Sequence, residues 1–151
     1  MNKLFNSTFE NAIRLLVLLN ECDMPQTIDK LYVLDFLALY GASFGITEQN
    51  LNGDNAYKFS VFASHRESIK EAIKELVLNR TVQAVNYNNA LSYIVTPEGE
   101  DFCELLDSEY AKEYKKNVQM VIRYTANKSE RALISAIYKL SAESFREESI
   151  K

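Results

Sequence analysis

Residues 66–96 read RESIKEAIKELVLNRTVQAVNYNNALSYIVT, and this stretch decides the fold. Ile69, Ala72, Ile73, Leu76 and Val77 recur at the spacing of one helix face, while Arg66, Glu67, Lys70, Glu71, Lys74 and Glu75 occupy the other. The spacing predicts an amphipathic helix lying on a core. From Thr81 the pattern changes. Val82, Ala84, Val85, Tyr87, Leu91, Tyr93 and Val95 are mostly β-branched or aromatic residues placed around Asn88-Asn89, which predicts a hairpin. Thr96-Pro97-Glu98-Gly99 then opens another helix, with Thr96 as N-cap and Pro97 at the first helical position, where its missing N–H costs nothing.

Helix, hairpin and helix in this order resemble the second half of a winged-helix domain. The expected fold is mainly α (α+β). A winged-helix-like domain with a two-stranded wing covers 1–107, and a C-terminal helical extension over 108–151 packs on or next to it. Upstream, Ser7-Thr8-Phe9-Glu10 has the form of a capping box, which starts helix one. Phe9, Ile13, Leu16 and Val17 give this helix an inner face, and Leu15, Leu18 and Leu19 make its second half apolar nearly all round. Such a helix is either wrapped by its own domain or meets a partner. After the break at Met24-Pro25-Gln26-Thr27, Ile28 to Tyr40 forms a second apolar helix that Gly41 can close. Asp35 interrupts that run and needs a basic partner if buried, for which Arg14 is the candidate in a structural ion pair.

Residues 42–64 read as a long loop with an Asn52-Gly53 turn, whose Phe44, Leu51, Tyr57, Phe59 and Phe62 pack on the domain's own core or on another chain. Beyond the wing, Glu98 to Asp107 is expected to bury Phe102, Leu105 and Leu106. Ser108 caps a helix with the stripe Tyr110, Tyr114, Val118, Val121 and Ile122. Ser129 opens a last helix bearing Leu133, Ile137 and Leu140, with Ile134, Tyr138 and Phe145 on the neighbouring row. These two helices fold back on the domain or pair with another subunit.

With 151 residues, 47% of them hydrophobic, the chain suits one domain with a core that needs neither disulfide nor metal. Cys22 and Cys103 form no CxxC pair and read as reduced, semi-buried thiols of a cytosolic protein. The apolar run 15–19 is too short for a bilayer, and neither a secretion signal nor lipoprotein processing is indicated. Net charge is -4 and unevenly spread: residues 61–110 carry 4 basic and 9 acidic groups, residues 111–151 carry 9 and 5. An acidic winged helix is a poor counterion substitute on a phosphate backbone. Arg66, Lys70, Lys74 and Arg80 are the contacts a winged-helix DNA-binding regulator would use, but glutamates are interleaved with them and the wing tip carries no Arg or Lys.

Chemistry is sparse. His65 is the single histidine, which leaves no His cluster for a metal and reads as a turn or capping residue. A Cys–His nucleophile pair with Cys22 or Cys103 would exist only if the fold assembled it. Gly41, Gly45, Gly53 and Gly99 build no phosphate-cradling loop. No catalytic, metal or cofactor residue and no small-molecule substrate are expected.

Leu4-Phe5-Asn6-Ser7-Thr8-Phe9-Glu10, Ile13-Arg14-Leu15-Leu16, Asp29-Lys30-Leu31 leading to Leu34-Asp35-Phe36, and Leu51-Asn52-Gly53-Asp54-Asn55 follow one another in order. So do Arg66-Glu67, Tyr93 to Gly99 and Ser108-Glu109-Tyr110-Ala111. Together they resemble the middle component, type 2, of bacterial ABC-three-component systems over Leu4 to Ile122, with the helix from Ser129 outside the likeness. The resemblance implies a small non-catalytic subunit that joins an SMC-like or RecN-like ABC ATPase to an effector, often a nuclease, in defence against phage or plasmids. Lamassu-type systems are similar in organisation. The surfaces expected to meet partners are the Leu15, Leu18, Leu19 face and the Tyr110, Tyr114, Val118 stripe, with DNA touched only inside the complex.

Overall fold

The computed structural model describes residues 7–51 and 58–150, and the side chains of 58–61, 63 and 143–150 lie outside that description. Among the described residues there are six α-helices and one two-stranded antiparallel sheet, so the fold is mainly α with a small β part. The order is α1 (Thr8–Glu21), α2 (Ile28–Tyr40), α3 (Lys58–Leu78), β1 (Val82–Tyr87), β2 (Ala90–Val95), α4 (Pro97–Glu104), α5 (Glu109–Thr125) and α6 (Glu130–Ile150). The expected Asn52-Gly53 turn and the side chains of Tyr57, Phe59 and Phe145 fall outside the described residues.

α2 is the central helix. Every residue from Leu31 to Tyr40 is buried, because α1, α3, α5 and α6 all pack around it. One continuous cluster joins α1 and α2 to Ile69, Ile73 and Leu76 of α3, Tyr114, Val118 and Val121 of α5, and Leu133 and Ile137 of α6. The last two helices therefore fold back on their own chain and complete its core. Leu15, Leu18, Leu19, Tyr114 and Val118, proposed from sequence to meet partners, are sealed in this cluster, and Tyr110 is half-buried at its edge. An all-apolar helix is equally well explained by being surrounded, and here its own domain surrounds it.

Side-chain caps fix the helix starts. The hydroxyls of Ser7, Thr27, Thr96, Ser108 and Ser129 accept from the backbone N–H of Glu10, Lys30, Gly99, Ala111 and Ala132, each at 3.1 Å. Gly41 ends α2 in right-handed geometry. The chain continues through a 3-10 turn, Gly41–Phe44, and only Gly45, at φ 71°, reverses it. The Leu51 N–H then donates to the Leu39 carbonyl at 2.8 Å, folding this segment under α2.

α3 starts at Lys58, eight residues before the sequence pattern places it. Phe62, expected in the loop, and His65, expected at a turn or cap, are buried in its first turns, and Phe62 stacks on Tyr32 with ring centroids 4.4 Å apart. At its other end Arg80 has φ 68°, with its own N–H donating to Val77 and that of Thr81 to Leu76. This is a Schellman closure with arginine where glycine is usual. Asn88 and Asn89 make the hairpin turn at φ 52° and 63°, the geometry a two-residue link needs. β1 and β2 pair in the register Val82↔Val95 to Tyr87↔Ala90. Gln26, just before α2, exchanges both backbone hydrogen bonds with Tyr93, an isolated bridge on the free edge of β2.

α4 corrects a second expectation. Phe102 and Leu105 are exposed, Leu105 at 78%, and Leu106 is half-buried. The helix docks through Gly99 and Cys103, one turn apart, and Cys103 lies against the Leu16 carbonyl at 3.7 Å. A Cβ at Gly99 would stand 2.2 Å from the Thr81 carbonyl oxygen and 2.7 Å from Val95.

Gly99→Ala is therefore expected to destabilise the fold by about 1–3 kcal/mol, as overpacking does. Arg80→Gly should stabilise it by about 1 kcal/mol, by relieving a left-handed non-glycine residue. Thermal unfolding of the two variants should move in opposite directions from the parent chain.

Candidate partner-binding surface and the buried ionic centre

Asp35, with no exposed surface, stands where four helices meet. Arg14 of α1 donates to it twice, Nε to Oδ1 at 3.0 Å and Nη2 to Oδ2 at 3.3 Å. Tyr114 of α5 donates its hydroxyl to Oδ1 at 2.7 Å, and His65 Nε2 of α3 lies 3.3 Å from Oδ2. Arg14 Nη2 also donates to Asn11 Oδ1 at 2.5 Å. The ion pair between Arg14 and Asp35 is the one expected from sequence. Tyr114 and His65 were not expected there. His65 is a buried member of this network, so the turn or capping role is corrected.

Burial by itself would raise the Asp35 carboxyl. The Arg14 guanidinium, with His65 beside it, outweighs burial and holds that carboxyl well below the usual carboxylate range. Burial likewise opposes the charge on Arg14, and Asp35 more than compensates. Burial and the facing carboxylate push the Tyr114 hydroxyl well above its ordinary value. The network is a locked ion pair, with every buried side-chain N and O among the described residues partnered.

The thiols are likewise ill-suited to attack. Burial, with neighbouring carboxylates, pushes Cys22 up to about 12 and Cys103 up to about 11. His65 is engaged by Asp35, whereas Cys103 faces the Leu16 carbonyl. No group of three His, Cys, Asp or Glu among the described residues could hold a metal, and no described helix is long and apolar enough to cross a membrane.

The outer surface has more to offer. A groove of about 530 Å³ lies between the start of α1, the end of α3 and α4, and Phe9, Ile13, Leu16, Leu76 and Phe102 line it. Phe9 is 71% exposed at its mouth. Sequence reading assigned Phe9 to the inner face of α1 and Phe102 to the core. Leu16 and Val17 of that α1 face are buried and Ile13 is half-buried, so Phe9 alone is left uncovered at the helix start, whereas in α4 Phe102 and Leu105 are exposed and Leu106 is half-buried, because only neighbouring elements decide how much of a helix face is covered. Of the proposed DNA contacts, Arg66 is bound by Asp29 at 2.6 Å and Lys70 stands 3.7 Å from Glu67, whereas the side chains of Lys74 and Arg80 are exposed.

Fold and surface thus define a small helical α+β module with a closed ionic core and an open apolar groove. The chain matches the family described as ABC-three component (ABC-3C) system Middle Component 2 over residues 4–147 and belongs to it. The match takes in most of α6, beyond the Ile122 limit of the resemblance read from sequence. Comparison with curated proteins and with solved structures returns no match.

Removing one member of the buried pair, as in Asp35→Asn or Arg14→Met, is expected to cost about 3–5 kcal/mol, and Arg14→Met with Asp35→Leu less than the two losses combined. Asp35 holds its proton less firmly folded than unfolded. Its contribution is therefore complete above the unfolded carboxyl value of about 4 and is lost as pH falls from there through the folded value. Denaturant midpoints of parent and Asp35→Asn chains between neutral and strongly acid pH should show the parent losing more stability on acidification.

Proposed function

We propose that this chain is the non-catalytic adaptor of its ABC-three-component system. In this reading it holds an SMC/RecN-like ABC ATPase and a nuclease-type effector together in cytoplasmic defence against phages and plasmids, in an organisation similar to Lamassu-type systems. The observation that carries the reading is the apolar groove between α1, α3 and α4, open beside Phe9 and Phe102 on a domain whose own core is closed. A contiguous apolar surface of this kind marks a place where another protein is received. Family membership supplies the kind of protein, another component of the same system.

The element order supports a winged-helix-like body over 1–107: α1, a single bridge residue at Gln26 paired with β2, α2, α3 and the hairpin. In the same reading 108–151 is a helical extension that shares the body's core. A winged-helix transcriptional regulator reading Arg66, Lys70, Lys74 and Arg80 against DNA is the weaker alternative. Arg66 already has a carboxylate partner, and the hairpin turn carries no cation. DNA contact is proposed only within the assembled complex.

Co-expression with the components encoded beside it tests the reading. The parent chain should co-purify with the ATPase component. Phe9→Ser with Phe102→Ser should lose about 2 kcal/mol of binding, roughly 30-fold in affinity, with thermal stability little changed. A chain that assembles with none of these components, or that turns over a substrate alone, would contradict the proposal.

A further inference from the structure

The outward residues of α3 sort into two rows. Arg66, Lys70 and Lys74 recur every four positions, and Glu67, Glu71 and Glu75 do so one position later, about 100° further round the helix axis. The ends of the rows nearest the hairpin border different apolar grooves: Glu75 alone of its row lies on the groove with Phe9 and Phe102, whereas Lys70 and Lys74 lie on a second groove, of about 290 Å³, between α3 and the hairpin. Ile73, Val77, Ala84 and Tyr93 line this second groove, along with Leu78 and Leu91. It opens because the hairpin leaves α3 toward its tip. Val82, at the base, is buried, Ala84 is exposed opposite Tyr93, and Leu91 is 65% exposed. Leu78 closes the helix end at 70% exposure.

We infer that this second groove docks an acidic, amphipathic segment of another component of the same complex, an inference that rests on the adaptor reading. Apolar side chains of the segment would lie on the floor, and its carboxylates would meet Lys70 and Lys74. The amine of Lys70 reaches Glu67 only at 3.7 Å between two exposed side chains, an interaction weak enough to be exchanged. Arg66 stays out of the exchange because Asp29 holds it at 2.6 Å. A nucleic acid would satisfy the same lysines through phosphate but would leave Leu78 and Leu91 beside it with nothing to bury them, so a protein segment fits this surface better. The two grooves of α3 are thereby distinguished by charge. Like-charge contact at the wrong groove would be repulsive, which lets one small module tell two partners apart.

The test uses the full chain and the purified components encoded beside it, with affinities measured at low and high salt. Lys70→Glu with Lys74→Glu is expected to weaken binding of one component at least tenfold at low salt and to remove most of the salt dependence. Leu91→Ser should weaken the same component, and all variants should keep the parent's thermal unfolding. A photo-crosslinking residue at Ala84 should capture a segment of that component containing Asp or Glu, and reversing those acids to Lys should restore affinity for the Lys70→Glu, Lys74→Glu chain. Unchanged affinity for every component, capture of a segment without carboxylates, or loss of duplex DNA retention alone would overturn the inference. A parent chain that binds no component removes the adaptor reading and this one together. An intact complex indifferent to the groove substitutions removes this one alone.

Discussion

Arg14 and Asp35 meet where water cannot reach, and four helices have to agree on their positions for that to be tolerable. Moving either ion out of water costs several kcal/mol, and the cost is offset only when geometry and the remaining hydrogen bonds are good. Here Arg14 comes from α1, Asp35 from α2, His65 from α3 and Tyr114 from α5, so the pair acts as a registration device. If α1 or α2 slid by a turn, a charge would be left unpartnered in the core, and if α3 or α5 did, the Asp35 carboxylate would lose one of its remaining polar contacts. The apolar residues around it supply most of the burial, and the ionic centre selects which packing of those residues is acceptable.

This arrangement also engages the titratable groups of the described interior with one another. The histidine, the most buried carboxylate and a core tyrosine are committed to one another, and the thiols are pushed upward by burial. Two apolar grooves lie outside, separated by α3. One helix thus has two duties. Ile69, Ile73 and Leu76 hold it to the core, while its outer charges border the grooves. Membership of the ABC-three-component middle component family makes the chain one component of a system of several.

Several features were legible in the residues because they depend on neighbours in the chain. Ser7, Thr27, Thr96, Ser108 and Ser129 precede helices, and an N-cap is a contact across three residues. Thr27 alone was read only as the end of a break. The hairpin turn was readable because Asn tolerates positive φ. The missed start of α3 had a signal too: Phe62, His65, Ile69, Ile73 and Leu76 keep helical spacing, but a histidine and nearby serines obscure the apolar period.

The sequence by itself determined where most helices begin, that α1 and α2 are too apolar to lie on a surface, and that Asp35 needs a cation. These follow from local hydrogen bonding, from periodicity and from the cost of a lone buried charge. Only the tertiary structure decided that Leu15, Leu18, Leu19, Tyr114 and Val118 are covered by this chain itself, that Phe9 and Phe102 are left outside, and that His65 and Tyr114 join the ion pair. Burial by one's own chain and burial by a partner require the same residues in the same spacing. Which one occurs depends on elements far apart in sequence that come to cover each helix face.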